Sequence, residues 1–91
     1  MGEKILTLHP QGKKGVHIDR SKYDVMRETI LGLLKGKPLT HVELTKAVEG
    51  TLKGRFEGSV PWYMEATKLD LEARRAIERV EGKGPATYRL R

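Results

Sequence analysis

Ninety-one residues carry 18 Lys and Arg against 12 Asp and Glu, a formal net charge of +6, with three histidines and no cysteine. At 37% hydrophobic and 33% charged, the chain has the composition of one ordered domain, and it is short enough to bury only about 60–65% of its unfolded surface, which argues against a deep substrate cavity. The missing thiols exclude disulfides, thiolate catalysis and cysteine zinc sites; no apolar run is long enough for a transmembrane helix or a signal-peptide core, so a cytoplasmic protein that does not enter membranes is expected.

Ile5-Leu6-Thr7-Leu8 and Val16-His17-Ile18 read as two short strands. Between them Pro10-Gln11-Gly12-Lys13-Lys14-Gly15 is rich in turn formers, so residues 1–19 are expected to hold a short N-terminal β-hairpin. Its Gly12-Lys13-Lys14-Gly15 stretch lacks P-loop spacing and reads as a solvated turn. His9 and His17 would face each other across this hairpin, but two imidazoles without a third ligand make a poor metal site.

Ser21 and Asp24 form a capping-box variant, after which Tyr23, Met26, Ile30, Leu33 and Leu34 recur on one helical face until Gly36 and Pro38. Thr40 and Glu43 make a full capping box for a second helix, with Leu39 and Leu44 as a hydrophobic staple. Leu44, Ala47, Val48 and Leu52 form its inward face, while His41 in the first turn reads as surface. Gly54 and Gly58 bracket a turn that tucks Phe56 under.

Ser59 as N-cap and Pro61 in the first turn start a third helix that should run to Ala73 or Arg74. Projected at about 100° per residue, Trp62, Ala66, Leu69 and Ala73 form one stripe, and Met64 and Leu71 form another nearly opposite. A helix apolar on two faces is covered on two faces, here by the other helices and by either the N-terminal hairpin or a second subunit. Trp62 reads as core and Tyr63 as the exposed aromatic. Ala76–Val80, a Gly82-Lys83-Gly84-Pro85 turn and Thr87–Leu90 then read as a terminal hairpin. A turn centred on Lys83-Gly84 sets Ile77 opposite Leu90, Arg79 opposite Tyr88, and Glu78 opposite Arg89.

This order, with Arg75-Ala76-Ile77-Glu78-Arg79-Val80 at the junction, resembles a winged helix-turn-helix: an α+β fold of three helices and a C-terminal two-stranded wing, preceded here by the hairpin. The junction is similar to that of bacterial winged-helix regulators of the multiple-antibiotic-resistance type. Val16-His17-Ile18-Asp19-Arg20-Ser21-Lys22-Tyr23, Ser59-Val60-Pro61-Trp62-Tyr63 and Lys68-Leu69-Asp70-Leu71-Glu72-Ala73-Arg74 more closely resemble a family of small uncharacterised prokaryotic winged-helix proteins, over roughly residues 16–91. The resemblance implies a single domain over 1–91, DNA binding in a regulatory role, duplex DNA as partner and a homodimer as a compatible assembly. It places groove contacts at Tyr63, Thr67, Lys68, Arg74 and Arg75, and wing contacts at Arg79, Lys83, Arg89 and Arg91.

Charge divides the chain unevenly: residues 73–91 are net +4, whereas residues 59–72 are net −2. Arg89 is explained as the partner of Glu78, and Arg79 by stacking on Tyr88; Arg74, Arg75, Lys83 and Arg91 lack a local partner and are the better candidates for phosphate. The acidic third helix supports the rival reading, a winged-helix protein-interaction module with that helix buried in an oligomer or complex and no DNA bound. Ser21 and Ser59 are spent as caps and no carboxylate pair is set in an apolar cleft, so neither an enzyme nor a cofactor is expected.

Overall fold

Residues 3–91 are described by a computed structural model. The elements run β1 (Lys4–Leu6), β2 (His17–Asp19), α1 (Arg20–Leu34), β3 (Leu39–Thr40), α2 (His41–Leu52), α3 (Val60–Ala73), β4 (Ile77–Val80) and β5 (Thr87–Leu90). The architecture is α+β, with three helices and two small antiparallel sheets: the hairpin β1-β2 and a three-stranded sheet in the order β3-β5-β4.

The amphipathic faces set the core. Met26, Ile30 and Leu34 of α1 meet Leu44, Val48 and Leu52 of α2, Met64 and Leu71 of α3, and Leu39, Ile77 and Tyr88 of the larger sheet. Each such side chain, fully buried, contributes about 1.5–3 kcal/mol against unfolding. Thr40 caps α2 as expected: its hydroxyl accepts from the Glu43 N–H and the Glu43 carboxylate accepts from the Thr40 N–H, at 3.1 and 2.9 Å. The backbone donation from Thr40 holds the Glu43 carboxyl below its usual pKa.

The terminal hairpin has the expected register, Ile77 opposite Leu90, Glu78 opposite Arg89 and Arg79 opposite Tyr88. Leu39 and Thr40 add a third strand to it, opposite Tyr88 and Thr87. Two residues, one of them also a helix cap, are too few to show strand periodicity.

The N-terminal region departs from expectation in three ways. β1 stops at Leu6: the Thr7 N–H still donates to the Val16 carbonyl, but the Val16 N–H turns to the Thr7 hydroxyl instead of the Thr7 carbonyl, while the Leu8 N–H, on the edge away from β2, donates to the Asp70 carboxylate. The register places Leu6, not His9, opposite His17, while the His9 Nδ1 accepts from the Gln11 N–H within the loop. α1 begins at Arg20 without a side-chain cap; β2 runs straight into it, and the Arg20 N–H donates to the Glu3 carbonyl at 2.7 Å. The expected Ser21–Asp24 capping box does not form, since Ser21 lies inside the helix and Asp19 holds the N-cap position; the chain before β1 takes one of the orphan donors of the helix start.

Candidate nucleic-acid interface

The start of helix α3 is set locally. The Ser59 hydroxyl accepts from the Trp62 N–H, Pro61 occupies the first turn, and Gly58 takes φ +107° where a Cβ would meet the Tyr63 ring at 2.8 Å. Met64 and Leu71 are wholly buried in the core. Thr67 and Lys68, expected to contact a groove, are also buried, which removes both from any groove-facing surface in this conformation. Thr67 is 0% exposed, and its Oγ1 has no partner among the described residues. Lys68 extends along the sheet side of α3, and its ammonium lies 3.8 Å from the centre of the Tyr88 ring. That cation–π contact, which sequence reasoning gave to Arg79, shelters the charge without a carboxylate.

The two aromatic assignments are reversed. Trp62 is 48% exposed, whereas Tyr63 is half-buried, edge-on to Phe56 and Trp62 and beneath the Lys22 ammonium. The surface that α3 presents comprises Pro61, Trp62 and Glu65, with Leu69 and Glu72 half-buried. It is apolar and acidic. The N-terminal hairpin lies along one flank and leaves a cleft of about 150 Å³ between Leu8, Lys14 and Val16 on one wall and Trp62, Ala66 and Leu69 on the other. A surface of this composition is poorly matched to a wall of phosphates.

Behind that flank lies Asp70, which is 0% exposed and is bonded by the loop after β1, by α1 and by the end of its own helix. Its Oδ1 accepts from the Leu8 N–H at 2.8 Å, its Oδ2 accepts from the Tyr23 hydroxyl, and Arg74 Nε donates to both oxygens at 3.0 and 2.9 Å. Burial, and then the bond to Asp70, push the Tyr23 phenol up to about 12. The same carboxylate raises the pKa of Arg74. This pairing is absent from those expected for Arg74, although its i,i+4 spacing from Asp70 signals it. Nothing local pointed to Leu8 or Tyr23, which lie 62 and 47 residues away in the chain.

The remaining cations gather where α3 gives way to β4. Arg75 adopts φ +65°, a left-handed conformation, at the position after the helix cap where glycine is usual. The Ala76 N–H donates to the Leu71 carbonyl and the Arg75 N–H to the Glu72 carbonyl, which closes a Schellman motif. The Arg91 N–H donates to the Ala76 carbonyl at 3.2 Å, which continues the β4-β5 register and sets the Arg91 backbone opposite the residue after Arg75. Arg27 of α1, absent from the expected contacts, shares the Tyr23 neighbourhood with Arg74, and both charges oppose the rise of the phenol. Among the described residues no carboxylate lies within 4.0 Å of Arg75, Arg91 or Lys83.

Along the β4-β5 hairpin, Arg79 reaches Glu81 at 3.5 Å instead of stacking on Tyr88, and Arg89 bonds Glu78 as expected. Lys83 is exposed in the connecting turn. His41 has its pKa lowered by burial first and by the Lys68 charge second, which favours a neutral imidazole at the start of α2. The backbone thus places Arg74, Arg75 and Arg91 at the α3–β4 junction, with Arg79 and Lys83 further along the hairpin, while Thr67 and Lys68 are buried.

The chain belongs to a family of unknown function, DUF6958, whose profile matches residues 4–88. No curated protein and no solved structure matches the chain significantly.

Proposed function

We propose that this DUF6958 chain is a winged-helix protein that binds duplex DNA through phosphate contacts at the α3–β4 junction and along the β4-β5 hairpin, in a regulatory role, without inserting the face of α3 into a groove. The observation that carries this reading is the left-handed Arg75. An L-residue with a side chain gives up about 1–2 kcal/mol there relative to a right-handed conformation. Glycine would meet the same backbone requirement, and strain kept at one residue points to a use for its side chain. Arg75 follows Arg74 directly and precedes Ala76, the backbone partner of Arg91, and among the described residues neither Arg75 nor Arg91 has a carboxylate within 4.0 Å. The three-helix order followed by a two-stranded hairpin, joined by β3 on the far edge of β5, supports the winged-helix assignment.

Contacts of this kind supply affinity through counterion release and carry little sequence information. Fluorescence anisotropy of a labelled duplex of about 30 base pairs, titrated between about 50 and 200 mM salt, tests the reading. Arg75→Ala with Arg91→Ala should weaken binding and flatten the log–log salt dependence by about 1.8, two phosphate contacts at about 0.9 each. An unchanged slope would place the contacts elsewhere.

A second reading rests on a different surface. Trp62 stands 48% exposed beside Glu65 and Leu69, and an exposed aromatic on an acidic, partly apolar helix suits a protein partner, a second copy of the chain included.

A further inference from the structure

Among the described residues Asp70 is the one fully buried carboxylate, and its surroundings suit a purpose beyond packing. Arg74 approaches it through a single nitrogen. The Nε–H spans both oxygens at 3.0 and 2.9 Å, and no second carboxylate reaches the guanidinium. The Arg74 side chain is nevertheless 41% exposed, whereas that of Asp70 is 0% exposed. A guanidinium held by Nε, with the Tyr23 hydroxyl also beside it, still keeps terminal N–H donors that can meet the oxygens of a phosphate. Asp70 itself cannot turn away, because the Leu8 N–H fixes one oxygen and the Tyr23 hydroxyl the other.

Resting on the DNA-binding reading above, we infer that Asp70 is a positioning residue: it grips Arg74 by Nε and presents the terminal N–H groups of that arginine to a phosphate of the duplex backbone. The N-terminal hairpin takes part, since it contributes the Leu8 N–H that holds the carboxylate. A long, flexible arginine would otherwise lose rotamer freedom on binding, and a pre-aligned one loses less.

A double-mutant cycle on duplex affinity, read by anisotropy with the duplex of about 30 base pairs, tests this. Asp70→Asn should weaken binding about three-fold or more in the otherwise unchanged protein and leave it unchanged in the Arg74→Ala background. A merely structural role would impose the same loss in both backgrounds, and that result overturns the inference. If Asp70→Asn does not fold, Arg74→Lys decides. Lysine keeps the charge but has no Nε fork, so binding about three-fold weaker or more is expected, and affinity equal to the unchanged protein overturns the inference. Failure of the unchanged protein to bind the duplex at low salt overturns the DNA-binding reading together with this one. Binding with an additive cycle overturns this inference alone.

Discussion

Arg75 sets stability against function at a single residue. Its φ of +65° completes the Schellman motif that turns α3 into β4, a place where glycine carries no Cβ penalty. Arg75→Gly should therefore raise unfolding stability by about 1 kcal/mol, read as a higher urea midpoint at unchanged slope, while it weakens duplex binding. A variant that gains stability and keeps full affinity would show that the strained arginine serves no ligand. The sequence flagged Arg75 as an unpartnered cation but not as the left-handed residue, because the usual signal for that conformation is a glycine and none stands there. Lys68 shows the converse. Its charge marked it for the surface, and only the fold brings Tyr88 under its ammonium and buries it.

Among the elements, the N-terminal hairpin is the least self-sufficient. Two three-residue strands cannot hold together alone in water, so the hairpin depends on Ile18 beneath it and on the Leu8–Asp70 bond beside it. Gly15 marks its closest approach, where a Cβ would fall 1.8 Å from the Thr7 carbonyl oxygen. Gly15→Ala should thus break the Thr7–Val16 pairing and free residues 7–16, while the core of the three helices stays folded. Limited proteolysis should show fast cleavage within that segment with little change in the far-ultraviolet circular dichroism of the helices. Resistance equal to the unchanged protein would mean that the hairpin relaxes around the methyl group. Elements built on local rules were legible in advance: the Thr40–Glu43 and Ser59 caps, the core faces of α1 and α2, the Met64 and Leu71 stripe of α3 and the β4-β5 register all follow from spacings of a few residues, whereas Trp62, expected in the core, is exposed. The cap of α1, the end of β1, strand β3 and the Asp70 cluster were not legible, because each depends on a partner supplied from another part of the fold.

For the molecule as a whole, the placement of charge matters more than its sum. The net +6 is carried to a large extent by residues 73–91, while the outward surface of α3 holds Trp62, Glu65, Leu69 and Glu72 beside the flanking hairpin. Counterion release rewards cations that reach phosphates, so the proposed DNA binding requires the duplex to lie on the basic junction and the β4-β5 hairpin, away from the acidic helix face. The opposite arrangement, with α3 pressed on a partner and the cations left to solvent, would engage Trp62 first. Amide and indole chemical-shift mapping on titration with a duplex of about 30 base pairs at low salt separates the two most directly. Perturbations centred on Arg74, Arg75, Ala76, Arg79, Lys83 and Arg91 are expected, with the Trp62 indole N–H and the Glu65 amide unmoved. Shifts centred on Trp62, Glu65 and Leu69, or no shifts at all, would contradict it.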